Sequence, residues 1–168
     1  MEELNIEYNR YVYYFNEEIT SEAVQNVIDT LVGVPSADLF ITTPGGETTS
    51  SQILIHFINQ HPDIKVYLTG YIASAGADFL TDCNKEVYLT DDLDWILFHQ
   101  ADREFGGKFR KAALNKDILY EQTKEINDRY AEKYKKLGLN SKEIKEYFKG
   151  EDVILYRKDF SRLKVNRK

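Results

Sequence analysis

The length, composition and charge of this chain limit what it can be. Its 168 residues suffice for one compact domain, and 42% of them are hydrophobic while 30% are charged, a balance typical of soluble globular proteins and not of disordered ones. The formal net charge of -6 argues against nucleic acid as a partner bound by a basic surface. No apolar run approaches the length of a membrane span, so we expect no membrane partner.

The single cysteine, Cys83, permits neither an intrachain disulfide nor a cysteine-rich metal site. We therefore expect a reducing compartment, no metal and no other cofactor, with Cys83 as a small buried hydrophobic residue. The acidic start of the chain, Met1 to Asn5, lacks the basic and apolar regions of a secretory signal. Together these features predict a cytoplasmic protein.

Predicted strands and helices alternate along the first hundred residues. An aromatic run from Arg10 to Phe15 predicts a strand, and Thr20 or Ser21 is the expected cap of a helix from about Glu22 to Val32. The elements that follow are a strand at 37–43, a helix after the turn at 44–46, a strand at 64–69 ended by Gly70, a helix at 74–80, and strands at 86–90 and 95–98. This alternation predicts crossover units, and thus an α/β fold with a mainly parallel sheet.

The last third of the chain is predicted to be mostly helical. No Pro or Gly interrupts the charge-rich stretch from Lys108 to Leu137, which predicts one long helix or a bent pair. Ser141 is the expected cap of a short helix that ends at Phe148, and residues 152–155 predict a last strand. With no linker or repeat in between, residues 1–168 are interpreted as a single domain.

Three breaks in the regular pattern occur where predicted strands end. They are the Pro44-Gly45-Gly46 turn, the small-residue segment from Tyr71 to Gly76, and the segment from Phe98 to Gln100. Ligands usually bind beyond the carboxyl ends of the strands in an open parallel sheet. The three breaks are therefore expected to line one site.

Ser74, His99 and Asp152 are the candidate catalytic residues of that site. A serine hydroxyl needs a base to remove its proton, and histidine suits this task because its ordinary pKa lies near neutrality. His99 directly follows an apolar strand at the expected end of the sheet. A carboxylate must then orient the imidazole, and Asp152, which precedes the last strand, is the chosen candidate.

The glycine turn is the candidate for stabilising negative charge and binding substrate. The N–H groups of Gly46 and Ala75 are the predicted oxyanion donors, since a glycine permits close backbone approach. Gly45 and Glu47 are predicted to line the substrate site, where a polypeptide would add as an extra strand along an exposed edge. The charge of Glu47 is expected to influence specificity.

Three segments together resemble a known family. Ile41-Thr-Thr-Pro-Gly-Gly46, Gly70-Tyr-Ile-Ala-Ser-Ala-Gly76 and Ile96-Leu-Phe-His-Gln100 resemble three successive signatures of the Clp protease proteolytic subunit family, in order and spacing. The resemblance implies a Clp/crotonase-like crossover fold of the ββα type, with 108–137 as a projecting handle helix. It also implies that Ser74 is the nucleophile, that His99 is the base, and that an aspartate after the long helix completes the triad.

The same resemblance implies an activity and partners. The activity is that of a serine endopeptidase that hydrolyses unfolded polypeptides through an acyl-enzyme, within a homo-oligomeric ring that is a heptamer or a double heptamer. The family's partner is an unfoldase ATPase, but only about nine residues precede the first predicted strand, so standard docking is not expected. The closing segment 156–168 also departs from the family's usual ending.

Several other interpretations remain open at this point. A Clp-like scaffold or regulatory subunit without activity would keep the same motifs, and a crotonase-type acyl-CoA enzyme would share the fold but lacks a suitable glutamate pair here. Ser74 alone could be a helix cap, and Asp152 alone could be a turn residue. His56 and His61 are both predicted to lie on the surface.

Overall fold

The structure is a computed structural model that describes residues 10–101 and 116–165, with the backbone only at 116–120. The chain divides into two compact units, Met1–Ile96 with Val165–Lys168, and Leu97–Lys164. Among the described residues, no helix combines the length and the apolar character that crossing a membrane requires.

The first unit is a parallel sheet with helical crossovers. Its elements in chain order are β1 (Tyr11–Asn16), α1 (Ser21–Leu31), β2 (Ala37–Thr43), α2 (Thr48–Gln60), β3 (Ile64–Ala73), a 3-10 helix (Ser74–Ala77), α3 (Asp78–Asp82) and β4 (Val87–Leu89), followed by the start of β5 (Trp95–Phe98). β1 pairs with β2, β2 with β3, and β3 with β4, all in parallel register. The predicted α/β fold with a mainly parallel sheet is confirmed.

The sheet of this unit has two chemically different faces. Alternate residues of β2, from Ala37 to Thr43, are buried, because successive side chains of a strand point to opposite faces. α1 contributes buried apolar side chains such as Val24 and Val27 to the core. The opposite face carries a ladder of stacked rings with centroids 4.6 to 5.1 Å apart, formed by Tyr14, Phe40, Tyr67 and Tyr88.

β3 does not end where the sequence predicts. The strand continues through Gly70 to Ala73, so the predicted break at Gly70 is wrong. Ile41 is paired with Leu68 but Thr43 with Ile72, so two steps along β2 oppose four along β3. The extra residues form a bulge, and Gly70 takes a φ of +60° there, a conformation that glycine adopts readily.

The second unit contains the long helix. After the end of β5 come α4 (Lys116–Leu137), α5 (Ser141–Phe148), β6 (Val153–Tyr156) and a 3-10 helix (Arg157–Arg162). Of the two predicted forms, one long helix or a bent pair, the structure has a single helix over 116–137, and the predicted part at 108–115 lies outside the described residues. The cap of α5 is Asn140 and not Ser141, since the Asn140 side chain accepts from two backbone N–H groups and the Glu143 carboxylate accepts from the Asn140 N–H.

The described part of the closing segment, 156–165, is bonded to the end of α4. Arg162 donates to the Gly138 carbonyl at 2.6 Å and makes a two-pronged ion pair with Glu143 at 3.0 and 2.5 Å. The Lys164 N–H also donates to the Leu137 carbonyl at 2.7 Å. These bonds satisfy carbonyls that the last turn of a helix otherwise leaves open.

Two predictions about single side chains have opposite outcomes. Cys83 is buried as expected, and burial raises the pKa of its thiol. His61 is only 5% exposed, so its predicted surface position is wrong. The turn at Pro62 folds the imidazole back against Phe57, and Nδ1 accepts from the Asp63 N–H at 3.3 Å.

The burial of His61 should make stability depend on pH. Burial lowers the pKa of His61, so the unfolded chain binds a proton near the ordinary pKa of about 6.5 while the folded chain does so only at lower pH. The free energy of unfolding should therefore fall as the pH is lowered from about 7.5 to about 5.5, by at most about 1.4 kcal/mol per pH unit. Urea unfolding at both pH values should show a smaller fall for His61→Gln.

His56→Gln is the matched control, because His56 is exposed on α2, the helix that His61 caps at its C-terminus. It should keep the pH dependence of the wild type. Equal slopes in the wild type and His61→Gln would contradict the assignment.

Candidate active site

Ser74 occupies a strained position where β3 gives way to the 3-10 helix. Its φ is +54°, and it is the only residue other than glycine with a positive φ in the described part of the chain. Such a conformation costs of order 1–3 kcal/mol and recurs at functional sites. Its neighbours Ala73 and Ala75 are buried while Ser74 is half-buried. The sharp turn therefore leaves the serine more exposed to solvent than the residues on either side.

The glycine turn lies directly against this serine. A Cβ added to Gly45 would be 2.6 Å from the Ser74 Cβ, 2.7 Å from the Ala73 carbonyl oxygen and 3.1 Å from the Ala75 nitrogen. Gly45 also has a φ of +95°. Only a residue without a side chain permits both this backbone conformation and this close approach.

The chain at Ile19 holds the glycine turn from its other side. The Ile19 N–H donates to the Gly45 carbonyl at 2.7 Å, and the Glu47 N–H donates to the Ile19 carbonyl at 2.8 Å. In this parallel bridge between Ile19 and Gly46, the N–H and carbonyl of Gly46 itself point away from Ile19, because successive backbone groups of an extended chain alternate. Gly46 is an exposed residue, and its N–H is thus directed away from Ile19.

Buried polar side chains support both turns. The Thr43 hydroxyl accepts from the Gly45 N–H at 3.1 Å and donates to the Glu17 carbonyl at 2.8 Å, and the Ser51 hydroxyl donates to the Ala75 carbonyl at 2.9 Å. Glu47 is exposed, and its carboxylate accepts from the Ser50 hydroxyl at 2.6 Å. The two turns are therefore fixed by side chains that the sequence analysis did not single out.

Asp78 is a fully buried carboxylate four residues beyond Ser74. Its Oδ2 accepts from the Gln52 amide at 3.1 Å, and the same amide donates to Asp82 at 3.0 Å. This link ties α3 to α2. Among the described residues, no group of three or more His, Cys, Asp and Glu side chains is arranged to hold a metal ion.

The second unit contains the predicted base and its carboxylate. His99 follows β5 and Asp152 precedes β6, and the His99 Nδ1 lies 3.7 Å from the Asp152 Oδ1. Their side chains are 43% and 58% exposed. This distance is short enough for an ion pair but longer than a hydrogen bond. The carboxylate can therefore attract a protonated imidazole.

The chain that leaves His99 is anchored by Asn127 of α4. The Asn127 Oδ1 accepts from the Ala101 N–H at 2.9 Å and from the Tyr147 hydroxyl at 3.2 Å. Sequence reasoning missed Asn127. The signal was a polar residue on the same helical face as Ala131 and Tyr134, both of which are buried.

The structure thus brings the candidate residues together in two groups. Gly45, Gly46, Ser74 and Ala75 meet in the first unit. His99 and Asp152 meet in the second unit. The pairing of Ser74 with His99, and the catalytic role of each residue, stay predictions.

Comparison with known proteins gives one matching family model and a similar solved structure. The family model described as Clp protease matches residues 6–151, which includes the glycine turn, Ser74 and His99 and ends one residue before Asp152. No curated protein sequence gives a significant match. A solved structure of a ClpP1 point mutant from Listeria monocytogenes has a TM-score of 0.60 and 21% identity, covering 88% of this chain and 84% of that one.

The structural match confirms the Clp/crotonase-like fold. The family model covers 146 of the 168 residues, counting from 6 to 151. The chain belongs to the Clp protease family.

Proposed function

We propose that this protein is a serine endopeptidase that cleaves unfolded polypeptides through an acyl-enzyme on Ser74. The observation that carries the proposal is the strained serine, with a φ of +54°, packed against the glycine turn at the end of β3. A serine held by a sharp turn between a strand and a helix is a recurring arrangement for an exposed nucleophile. Membership of the Clp protease family supports the same reaction class.

The proposed reaction uses one proton shuttle. The Ser74 oxygen attacks the scissile carbonyl carbon while the His99 Nε2 takes the hydroxyl proton, and Asp152 stabilises the resulting imidazolium from the Nδ1 side. The imidazolium then gives its proton to the leaving amine as the carbon–nitrogen bond breaks. Water, deprotonated by the same imidazole, hydrolyses the ester and releases Ser74.

The oxyanion formed in this reaction requires fixed donors. The Gly46 N–H points to the open side of the turn, since the Ile19 bridge uses the flanking groups of Gly45 and Glu47. The Ala75 nitrogen lies at the start of the 3-10 helix and close to Gly45. Two backbone donors that need no rearrangement are well suited to a developing negative charge.

The edge formed by Gly45, Gly46 and Glu47 is the proposed binding strip for the substrate backbone. Gly46 and Glu47 are exposed, and the Ile19 bridge occupies one side of this strip only. An extended peptide would bind along the other side through main-chain hydrogen bonds, which tolerate many sequences. This suits a peptidase that acts on unfolded chains.

A second candidate function is a scaffold subunit without hydrolysis. The observation that favours it is the 3.7 Å gap between His99 and Asp152, both of which are well exposed. A carboxylate at that distance in water orients an imidazole weakly. Catalytic hydrogen bonds often tighten only when substrate binds, so the peptidase proposal expects this gap to close in the complex with substrate.

Covalent labelling of Ser74 tests the main proposal. A fluorophosphonate probe should form one adduct per chain with the wild type, because only a serine with a lowered barrier to deprotonation reacts readily. Intact mass should show that Ser74→Ala and His99→Ala both lose the adduct. Asp152→Asn should slow labelling by at least about tenfold if its carboxylate holds the imidazole. No adduct on a folded, assembled wild type would favour the scaffold candidate.

The close approach of Gly45 to Ser74 should be essential for that reactivity. Gly45→Ala puts a methyl group within 2.6 Å of the Ser74 Cβ, so the serine turn must shift. The labelling rate should fall by more than about tenfold, since misplacement of a nucleophile by about 1 Å costs about 100-fold.

Gly33→Ala is the control for backbone strain. Gly33 has a φ of +82°, but an added Cβ there would contact nothing within 4 Å. Gly33→Ala should lose about 1–2 kcal/mol in thermal unfolding from its positive φ alone, and Gly45→Ala should lose more because its methyl group also meets the serine turn. Labelling of Gly33→Ala should remain at the wild-type rate. Equal labelling rates in the two variants would show that contact with the serine turn is unimportant.

We further propose that the subunits assemble into a homo-oligomeric ring in the cytoplasm. From 121 to 137, α4 keeps many of its charged residues exposed, and membership of the Clp protease family supports such a partnership. Size-exclusion chromatography with light scattering should give a mass of several subunits. A single subunit at all concentrations would rule out the ring.

A further inference from the structure

The second unit contains a pocket of about 310 Å³ beside the proposed base. It lies among α4, the end of α5 and the segment after His99, and its lining residues are Gln100, Thr123, Lys124, Asn127, Asp128 and Phe148. The volume is in the range of pockets that hold small ligands or side chains. The lining combines polar groups with a larger share of apolar surface.

Asn127 offers a defined donor to this pocket. The residue is only 7% exposed, and its Oδ1 faces the Ala101 N–H and the Tyr147 hydroxyl. Because a backbone N–H can only donate, Ala101 fixes which end of the amide is the oxygen. The Nδ2 group donates to none of the residues that the structure describes. Asn127 lines the pocket, so this N–H₂ group is available to an acceptor oxygen of a ligand there.

The rest of the lining complements an uncharged polar group. The half-buried Gln100 side chain makes no hydrogen bond with the described residues, and its amide can both donate and accept. Lys124 and Asp128 are of opposite charge and lie 3.9 Å apart, so they give the pocket no net charge. The Phe148 ring is 47% exposed and offers an apolar surface for methylene groups.

We propose that this pocket binds the carboxamide of a glutamine or asparagine side chain of the polypeptide, next to the scissile bond. The carboxamide oxygen accepts from the Asn127 N–H₂, and its own N–H₂ donates to Gln100. Gln100 directly follows His99, so a side chain in the pocket belongs to a residue close to the bond that the base serves. The placement next to that bond rests on the proposed peptidase function, whereas carboxamide binding itself does not.

Equilibrium binding tests the pocket without requiring catalysis. Ser74→Ala keeps peptides intact, and two fluorescent hexapeptides that differ only in a central glutamine or leucine are titrated against it. The glutamine peptide should bind about tenfold more tightly, as expected when one buried hydrogen bond is gained. In Ser74→Ala combined with Asn127→Asp, the preference should disappear, because an acceptor oxygen replaces the N–H₂ while Oδ1 remains available to Ala101 and Tyr147.

Two further variants guard against indirect effects. Glu125 is an exposed residue of the same helix and lies outside the pocket lining. Glu125→Gln should therefore keep the full preference for the glutamine peptide. Gln100→Leu leaves the bonds of Asn127 unchanged, so it should reduce the preference even if Asn127→Asp proves unstable. Equal binding of the two peptides by Ser74→Ala, or an unchanged preference in Gln100→Leu and Asn127→Asp, would overturn the inference.

The test separates this inference from the proposed function. If the fluorophosphonate probe labels Ser74 in the wild type but no glutamine preference exists, the inference fails and the peptidase stands. If the preference exists but no serine reacts, the carboxamide pocket stands and the peptidase fails.

Discussion

The contact between two backbone turns is the constraint on which the candidate site depends. Gly45 approaches Ser74 so closely that an added Cβ would lie 2.6 Å from the serine Cβ. The approach requires β2 and β3 to be neighbours in parallel register and requires the bulge at Gly70 to bring the end of β3 into place. It also requires the bridge from Ile19 on the far side of the turn. Pairing along β2 and β3 thus sets the geometry of a serine beyond their carboxyl ends.

Much of this arrangement could be predicted from local patterns. Alternating strands and helices define the sheet, and glycines after β2 and small residues after β3 mark where the chain turns. The bulge at Gly70 could not be predicted, because it depends on pairing with β2 and not on the strand's own sequence. The burial of His61 depends on how a turn folds back on α2, and that is likewise a tertiary effect.

The candidate residues of the second unit were predicted less completely. His99 and Asp152 were found because a triad needs their chemistry, and they do lie 3.7 Å apart. Asn127 was overlooked because a single asparagine in a charged helix looks like a solvent-facing residue. Its role follows only from the two hydrogen bonds it accepts from Ala101 and Tyr147. Hydrogen bonds of this kind to a buried side chain help to fix the local structure around it.

The two kinds of recognition proposed here have different physical origins. Main-chain hydrogen bonds along the glycine turn are the same for nearly every peptide, so they supply affinity without choosing a sequence. A pocket with a buried amide donor discriminates, because a ligand without an acceptor leaves that donor unpaired. A peptidase built this way would accept many unfolded chains and still favour particular bonds within them. The selectivity that the pocket supplies would then depend on α4 and the segment after His99, which are separate in the sequence from the glycine turn that positions Ser74.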